Sequence, residues 1–183
     1  MRVITGSARG KKLKTLESLD IRPTSDMVKE AIFSIIQFDL PGASVLDLFA
    51  GSGQLGIEAL SRDASHCVFV DKNRAAVNII NQNLDNCGLR KKSRVLQMDS
   101  LDYLKTAKSG LDIALLDPPY RMGLIQKALP LLDCKLNTGA IVVCEHEKEL
   151  TLDDCYGRLI LHKRYKYGKI AVTVFKIPQD NEE

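Results

Sequence analysis

Beyond residue 43 the chain alternates short, almost wholly apolar runs with longer stretches of mixed polarity. The runs at 44–48, 66–70, 94–97, 113–116 and 140–144 are four or five residues long, which suits strands buried on both faces. The stretches between them, at 55–61, 74–87, 101–108 and 124–132, have the length and composition of crossover helices. Right-handed crossovers between parallel strands build an open, doubly wound sheet. Near the C-terminus, 157–163 and 169–176 read as an antiparallel hairpin, with Val172, Thr173 and Val174 alternating. The pattern therefore predicts an α/β fold: a Rossmann-like, mostly parallel sheet of seven strands with an antiparallel C-terminal edge. In such sheets ligands sit beyond the carboxyl ends of the strands, where strand order reverses.

Upstream, the first 20 residues read as short strands joined by turns at Gly6 and Gly10, a small β-hairpin extension. A helix is expected from about Ser25, because Val28, Ala31, Ile32, Ile35 and Ile36 recur at helical spacing and form one apolar stripe. Thr24 or Ser25 would cap it, Asp26 suits its positive end, and Pro41-Gly42 stops the element. No repeat, low-complexity tract or linker divides the chain. Residues 1–183 are thus expected to form a single domain, with 1–23 the extension and 24–183 the Rossmann-like core.

Composition narrows the class. With 45% hydrophobic and 27% charged residues, the chain has the balance of one soluble globular domain whose core needs no staples. Five dispersed cysteines without a Cys-x-x-Cys pair argue against a zinc site and a secreted disulfide framework, so reduced thiols are expected. Neither a signal peptide's apolar stretch nor a membrane-spanning run is present, which points to the cytoplasm. The net charge of +3 says little, but its distribution is uneven. Residues 1–14 hold Arg2, Arg9, Lys11, Lys12 and Lys14 without an acid, and residues 158–169 hold Arg158, Lys163, Arg164, Lys166 and Lys169 likewise. These are either solvated faces or phosphate-binding surfaces. Tyr165 and Tyr167, flanking Lys166, would suit stacked bases in the second case.

Two segments carry chemistry. In the first, a strand ending at Asp47 runs through Leu48, Phe49 and Ala50 into Gly51-Ser52-Gly53-Gln54-Leu55-Gly56 and then a helix. Such glycines allow a tight turn and close approach of a ligand to the backbone. As a dinucleotide site it would place a pyrophosphate at the helix start and ribose hydroxyls on Asp71, 20 residues after Gly51. Asp47 opposes that reading, since a carboxylate beside the turn favours a cation. S-adenosylmethionine carries an ammonium and a sulfonium and no phosphate, so Asp47 can pair with its methionine end while Asp71 takes the ribose. A third strand leads to Asp99-Ser100, where the acid either accepts from an adenine amine or caps the next helix.

The second segment is Asp117-Pro118-Pro119-Tyr120, directly after the strand at 113–116. Two prolines fix two φ angles and bias their predecessors away from helix, so the loop is stiff. It can hold a planar amine, with the Asp117 carboxylate and the Pro118 carbonyl accepting its two N–H groups and Tyr120 stacking on the ring.

This loop, together with Asp47-Leu48-Phe49-Ala50-Gly51-Ser52-Gly53, resembles S-adenosylmethionine-dependent methyltransferases that modify exocyclic amines of nucleic-acid bases. Met1-Arg2-Val3-Ile4-Thr5-Gly6, Arg9-Gly10-Lys11-Lys12-Leu13, Arg22-Pro23-Thr24-Ser25-Asp26 and Lys29-Glu30-Ala31-Ile32-Phe33 are similar to the bacterial ribosomal RNA small-subunit methyltransferase D family, over nearly the whole chain. The resemblance implies methylation of N2 of a guanine in 16S rRNA, presented in a small-subunit particle, by a monomer that needs no metal or membrane. It assigns Asp47, Phe49, Ala50, Gly51 and Gly53 to the cofactor's methionine side, Asp71 to its ribose, and Asp99 with Ser100 to its adenine. Asp117, Pro118, Pro119 and Tyr120 match the catalytic loop. Arg2, Arg9, Lys11 and Lys12 of the basic N-terminal strands, with Arg22 and Thr24, match the family's RNA-facing region, while Tyr165 and Lys166 are assigned to RNA on the basic and aromatic pattern above. Gln54 departs from the family, which more often has a small residue there.

Three competitors stay open on the residues alone. An adenine-N6 DNA methyltransferase could use the same loop, although no added segment reads as a DNA-recognition domain. A nicotinamide-dependent oxidoreductase leaves the proline loop without a task, and a noncatalytic RNA-binding module could retain the fold. NADH binding without S-adenosylmethionine binding would support the oxidoreductase, and cofactor binding with no methyl transfer to any RNA would support the noncatalytic module. His66, His146 and His162 are isolated and read as ordinary strand or loop residues. The sequence leaves open whether Glu145 reaches the pocket.

Overall fold

The computed structural model describes residues 1–16 and 26–179. Helix α1 (Asp26–Ile35) leads into β1 (Ser44–Asp47), α2 (Gln54–Ser61), β2 (His66–Asp71), α3 (Arg74–Cys87) and β3 (Ser93–Gln97). There follow α4 (Ser100–Thr106), β4 (Leu111–Leu116), α5 (Leu124–Leu132), β5 (Leu136–Glu147), β6 (Cys155–Tyr156), β7 (Leu159–Tyr167) and β8 (Ile170–Lys176). Among the described residues, eight strands form one sheet in the order β3-β2-β1-β4-β5-β8-β7-β6. The first five strands in that order pair in parallel, and the last three are antiparallel. The seven expected strands are present. The eighth, β6, has only two residues and no apolar run to announce it.

Strand periodicity divides the core between two faces. Val45, Ile113, Leu115, Ile141 and Val143 join α1, α2 and α3 on one side, whereas Leu46, Ala114, Leu116, Val142 and Cys144 join α4 and α5 on the other. The chain winds outward through β1, β2 and β3, then returns to place β4 on the opposite side of β1. The order of winding therefore reverses between β1 and β4, and a crevice opens there at the strand ends. No helix among the described residues is long and apolar enough to cross a membrane.

Near the N-terminus one expectation is corrected and another is narrowed. The buried face of α1 is Val28, Lys29, Ile32 and Phe33, continuing to Ile36, while Ala31 and Ile35 are only half-buried. A lysine occupies an apolar face because its ammonium finds partners: Nζ donates to the Arg2 carbonyl at 2.7 Å and lies 3.9 Å from the Glu58 carboxylate. Burial pulls its pKa down from the ordinary lysine range, with Glu58 opposing. The expected hairpin is present but short among the described residues: one bridge joins Arg2 and Lys12, and Val3 N donates to the Lys11 carbonyl, Leu13 N to Met1 and Gly10 N to Val3 at 2.9–3.1 Å. Its ladder is short because α2 takes the backbone donors. Ile4 and Thr5 donate to Glu58 at 2.8 and 3.0 Å, Ser7 to the Ser61 carbonyl at 2.8 Å, and Ala8 to Ser61 Oγ at 2.9 Å. The boundary proposed at 23/24, the caps Thr24 and Ser25, and Arg22 lie outside the described residues.

Glu58 is fully buried and also accepts from Arg62 Nε at 2.9 Å, so one carboxylate fastens the N-terminal arm, α1 and α2 together. Removing one partner of a buried ionic cluster strands the others, at a cost of roughly 3–5 kcal/mol. Glu58→Ala is expected to lose stability of that order in urea unfolding. A loss below about 1 kcal/mol, the scale of an exposed pair, would show that the cluster does not hold the arm.

Candidate active site

Adjacent strands deliver a row of carboxylates to the crevice. Asp71 ends β2, Asp47 ends β1, Asp117 follows β4 directly, and Asp99 lies just beyond β3. All four line one cavity of about 1060 Å³ at the point where strand order reverses. That volume lies at the upper end for small-molecule sites, with room for a cofactor and part of a second ligand.

The turn after β1 is held by these acids. Gly51 N–H donates to Asp71 Oδ2 at 2.8 Å, and the other oxygen of Asp71 accepts from Asn73 N at 2.8 Å. Gly53, the N-cap of α2, has φ +78° and supplies no side-chain cap. The missing cap comes from the strand: Asp47 Oδ2 accepts from Gly56 N at 2.9 Å. The glycines divide the work. A Cβ on Gly51 would meet nothing within 4 Å, on Gly53 it would come within 3.2 Å of Ile80, and on Gly56 it would collide with the Phe69 ring. Gly51 lines the cavity. Gly53, expected among the cofactor contacts, is not among the residues lining this cavity, and a Cβ there would face Ile80 and Ile57.

Desolvation raises the pKa of Asp47 to about 7, helped by the charges of Asp117 and Asp71 and opposed by the Gly56 bond. Its environment thus disfavours a bare negative charge. Asp99 both lines the cavity and caps α4, with Oδ1 accepting from Leu101 and Asp102 at 2.9 and 3.2 Å. The capping reading is the one these bonds show. Ser100 also borders the cavity, but its hydroxyl donates to the Leu48 carbonyl at 2.6 Å and so fastens α4 to the end of β1. Phe49 is half-buried against the α4 and α5 side and lines the cavity beside Ala50.

The Asp117-Pro118-Pro119-Tyr120 loop forms another wall. Pro118 is buried, Pro119 exposed, and Asp117 and Tyr120 lie between. The Tyr120 hydroxyl donates to Glu145 Oε1 at 3.3 Å. Arg121, at φ +62°, donates its N–H to Glu147 Oε1 at 3.0 Å. β5 therefore braces the loop through two acids on one face. Sequence reasoning left Glu145 undecided and passed over Glu147; their spacing of two on a strand was the available signal.

Met1, Thr15 and Leu16 bring the N-terminal arm to the cavity rim, which the sequence did not reveal. Asn83 secures the arm: Oδ1 accepts from Lys14 N at 2.8 Å, and Nδ2 donates to the carbonyls of Lys14 and Ser52 at 3.0 and 2.9 Å. Arg2, Arg9, Lys11 and Lys12 are exposed and stand outside the cavity lining. On β7 the expected pair separates. Tyr165 is half-buried against the α1 side with Lys163 Nζ 5.2 Å from its ring centre, whereas Lys166 is exposed and, by strand alternation, on the other face.

Asp47 makes a pH signature. Between its ordinary value of 3.8 and about 7, the unfolded chain has released this proton and the folded chain retains it. The carboxyl's contribution to stability is therefore full below about pH 4, falls as pH rises, and levels off above about 7. Subtracting the stability curve of Asp47→Asn from that of the native chain is expected to leave this decline. Parallel curves would remove the case for a desolvated acid.

Residues 1–176 match the family described as Conserved hypothetical protein 95. YlbH of Bacillus subtilis is 39% identical over 96% of this chain and 98% of its own length. Ribosomal RNA small subunit methyltransferase D of Haemophilus influenzae is 37% identical over 83% of this chain and 81% of its own. Among solved structures, yhhF of Escherichia coli is similar at 31% identity, with a TM-score of 0.89 and coverage of 98% and 99%. Identity at this level over such coverage, on the same fold, carries the sequence resemblance to its conclusion: the chain belongs to the ribosomal RNA small subunit methyltransferase D family.

Proposed function

We propose that the chain methylates the exocyclic N2 amine of a guanine in 16S rRNA, acting as a monomer on a small-subunit particle, with S-adenosylmethionine as donor. The observation that carries this is the Asp117–Tyr120 loop set beside a carboxylate-floored cavity where strand order reverses. The cofactor supplies an electrophilic methyl group on a positively charged sulfur.

The chain's residues fit that donor. Asp47 is a buried acid whose raised pKa favours a cationic partner, while a pyrophosphate would meet repulsion there, which weighs against a nicotinamide cofactor. Asp99, Asp71, Asp47 and Asp117 follow the spatial order β3, β2, β1, β4, three strand spacings or roughly 14 Å. An adenosine with an amino-acid tail fits such a row. Asp99 would accept from the adenine amine, Asp71 from the ribose hydroxyls, and Asp47 from the tail's ammonium. Gly51, with open space before it, lets the ligand approach the turn.

A guanine amine is a poor nucleophile because its lone pair is delocalised into the ring. The Asp117 carboxylate and the Pro118 carbonyl would accept its two N–H groups and turn the lone pair toward the methyl group. Their attraction grows as the nitrogen gains positive charge, so it favours the transition state. Tyr120, steadied by Glu145, would stack on a base that has left its own stack. The exposed Arg2, Arg9, Lys11 and Lys12 would track RNA phosphates at the rim of the site. Arg22 and Thr24 belong to the same proposal, with Tyr165 and Lys166 as separate contacts.

Asp117→Ala is expected to keep S-adenosylhomocysteine affinity within a few fold and to lose roughly 100-fold or more in methyl transfer to small-subunit particles. Equal losses in both would reassign Asp117 to the cofactor. Mapping the transferred methyl group to a position other than guanine N2 would overturn the substrate reading. Replacing Arg9, Lys11 and Lys12 together by Ala is expected to flatten the salt dependence of rRNA binding, because fewer counterions are released. An unchanged slope would make the arm's charge incidental.

A further inference from the structure

Gln54 opens α2 directly after the left-handed Gly53 and is 8% exposed. It borders the cavity, yet its carboxamide oxygen Oε1 is buried without a hydrogen-bond partner among the described residues. Native folds rarely leave a buried acceptor in that state, and when they do the atom is usually waiting for a ligand or a water.

The surroundings decide which ligand group suits it. Asp47 lies against the same first turn of α2 through its bond from Gly56, and Asp71 and Asp117 act on Asp47 from the neighbouring strands. These carboxylates and Gln54 thus border one cavity where α2 begins. They call for a group with several donors and a positive charge. The start of α2 also presents the positive end of a helix dipole, which favours a carboxylate within a few ångströms of that cation. An α-ammonium with its carboxylate on the same carbon satisfies both. The planar amine of a target base is a weaker fit, since it carries no charge and the stiff loop after β4 offers it two acceptors.

We propose that Gln54 is a specificity residue for the amino-acid tail of the cofactor: its Oε1 accepts an N–H from the α-ammonium beside Asp47, so the site selects ligands that keep that tail. This rests on the cofactor reading above.

The test is calorimetric titration of the native protein and Gln54→Met, a variant of similar shape without the carbonyl. The probes are S-adenosylhomocysteine, which has the tail, and 5′-methylthioadenosine, which lacks it; unliganded melting temperatures are measured alongside. Gln54→Met is expected to bind S-adenosylhomocysteine about tenfold more weakly and 5′-methylthioadenosine within about twofold of native. The unliganded variant should melt no lower than native, because an unpaired buried carbonyl has been removed. Unchanged S-adenosylhomocysteine binding overturns the proposal. So does equal weakening of both probes, or a variant that melts well below native or does not fold, since Gln54 would then be a packing residue. Failure of the native protein to bind S-adenosylhomocysteine would instead strike the cofactor reading, and this inference with it.

Discussion

Keeping the Asp47 carboxylate out of water while it holds the first turn of α2 is the constraint from which the site follows. Gly53 must be glycine, because its φ of +78° and the closeness of Ile80 leave little place for a side chain, so α2 starts without a cap of its own. The bond from Gly56 to Asp47 makes up the loss from the neighbouring strand. One neutral amide does not compensate a buried charge, however, and Asp71 and Asp117 make that charge harder to keep. The fold is left with an acid that gains from a cation and is penalised by an anion. A turn that in other Rossmann-like folds receives a pyrophosphate is here electrostatically inverted.

Strand order converts that local fact into a linear site. Residues 99, 71, 47 and 117 are scattered in sequence, yet doubly wound topology sets them side by side as β3, β2, β1 and β4. Three of these acids also do structural work that fixes where they point. Asp99 caps α4, Asp71 ties Gly51 and Asn73, and Asp47 caps α2. Because these carboxylates are held by backbone amides, they need little reordering to receive a ligand. The same bonds that cap the helices therefore also fix these carboxylates along the cavity wall.

What the sequence displayed and what it hid have different physical origins. Runs buried on both faces, the Gly51–Gly56 turn and the Asp117–Tyr120 loop are local patterns, so both the sheet and two walls of the cavity could be read directly. Features that depend on distant partners could not. Lys29 lies on an apolar face only because the Arg2 carbonyl and Glu58 are there to receive it. The N-terminal residues pair with each other as expected between 1–3 and 10–13, but the amides of Ile4, Thr5, Ser7 and Ala8 go to Glu58 and Ser61 of α2. Tyr165 and Tyr167 flank Lys166 in sequence, yet a strand sends the two rings to one face and the lysine to the other. Gly53 fits the glycine motif, but it is not among the residues lining the cavity, and the Ile80 that a Cβ there would face is distant in sequence.

The arm completes the argument, since its attachment explains how a basic surface and a cofactor turn come to lie together without sharing a sequence segment. Asn83, on α3 and almost wholly buried, spends its donors on the Lys14 and Ser52 carbonyls and its oxygen on Lys14 N. Ser52 lies inside the glycine turn and Lys14 ends the basic stretch, so a single amide side chain joins the two. Displacing Lys14 would leave the buried Asn83 with polar atoms to satisfy, a penalty of about 1–3 kcal/mol for each one stranded. The backbone of the arm is thus held inward by α2 and α3 while Arg9, Lys11, Lys12 and Lys14 remain exposed. Inward amides and outward cations on the same short stretch give a surface that can meet a polyanion without loosening the turn beneath it.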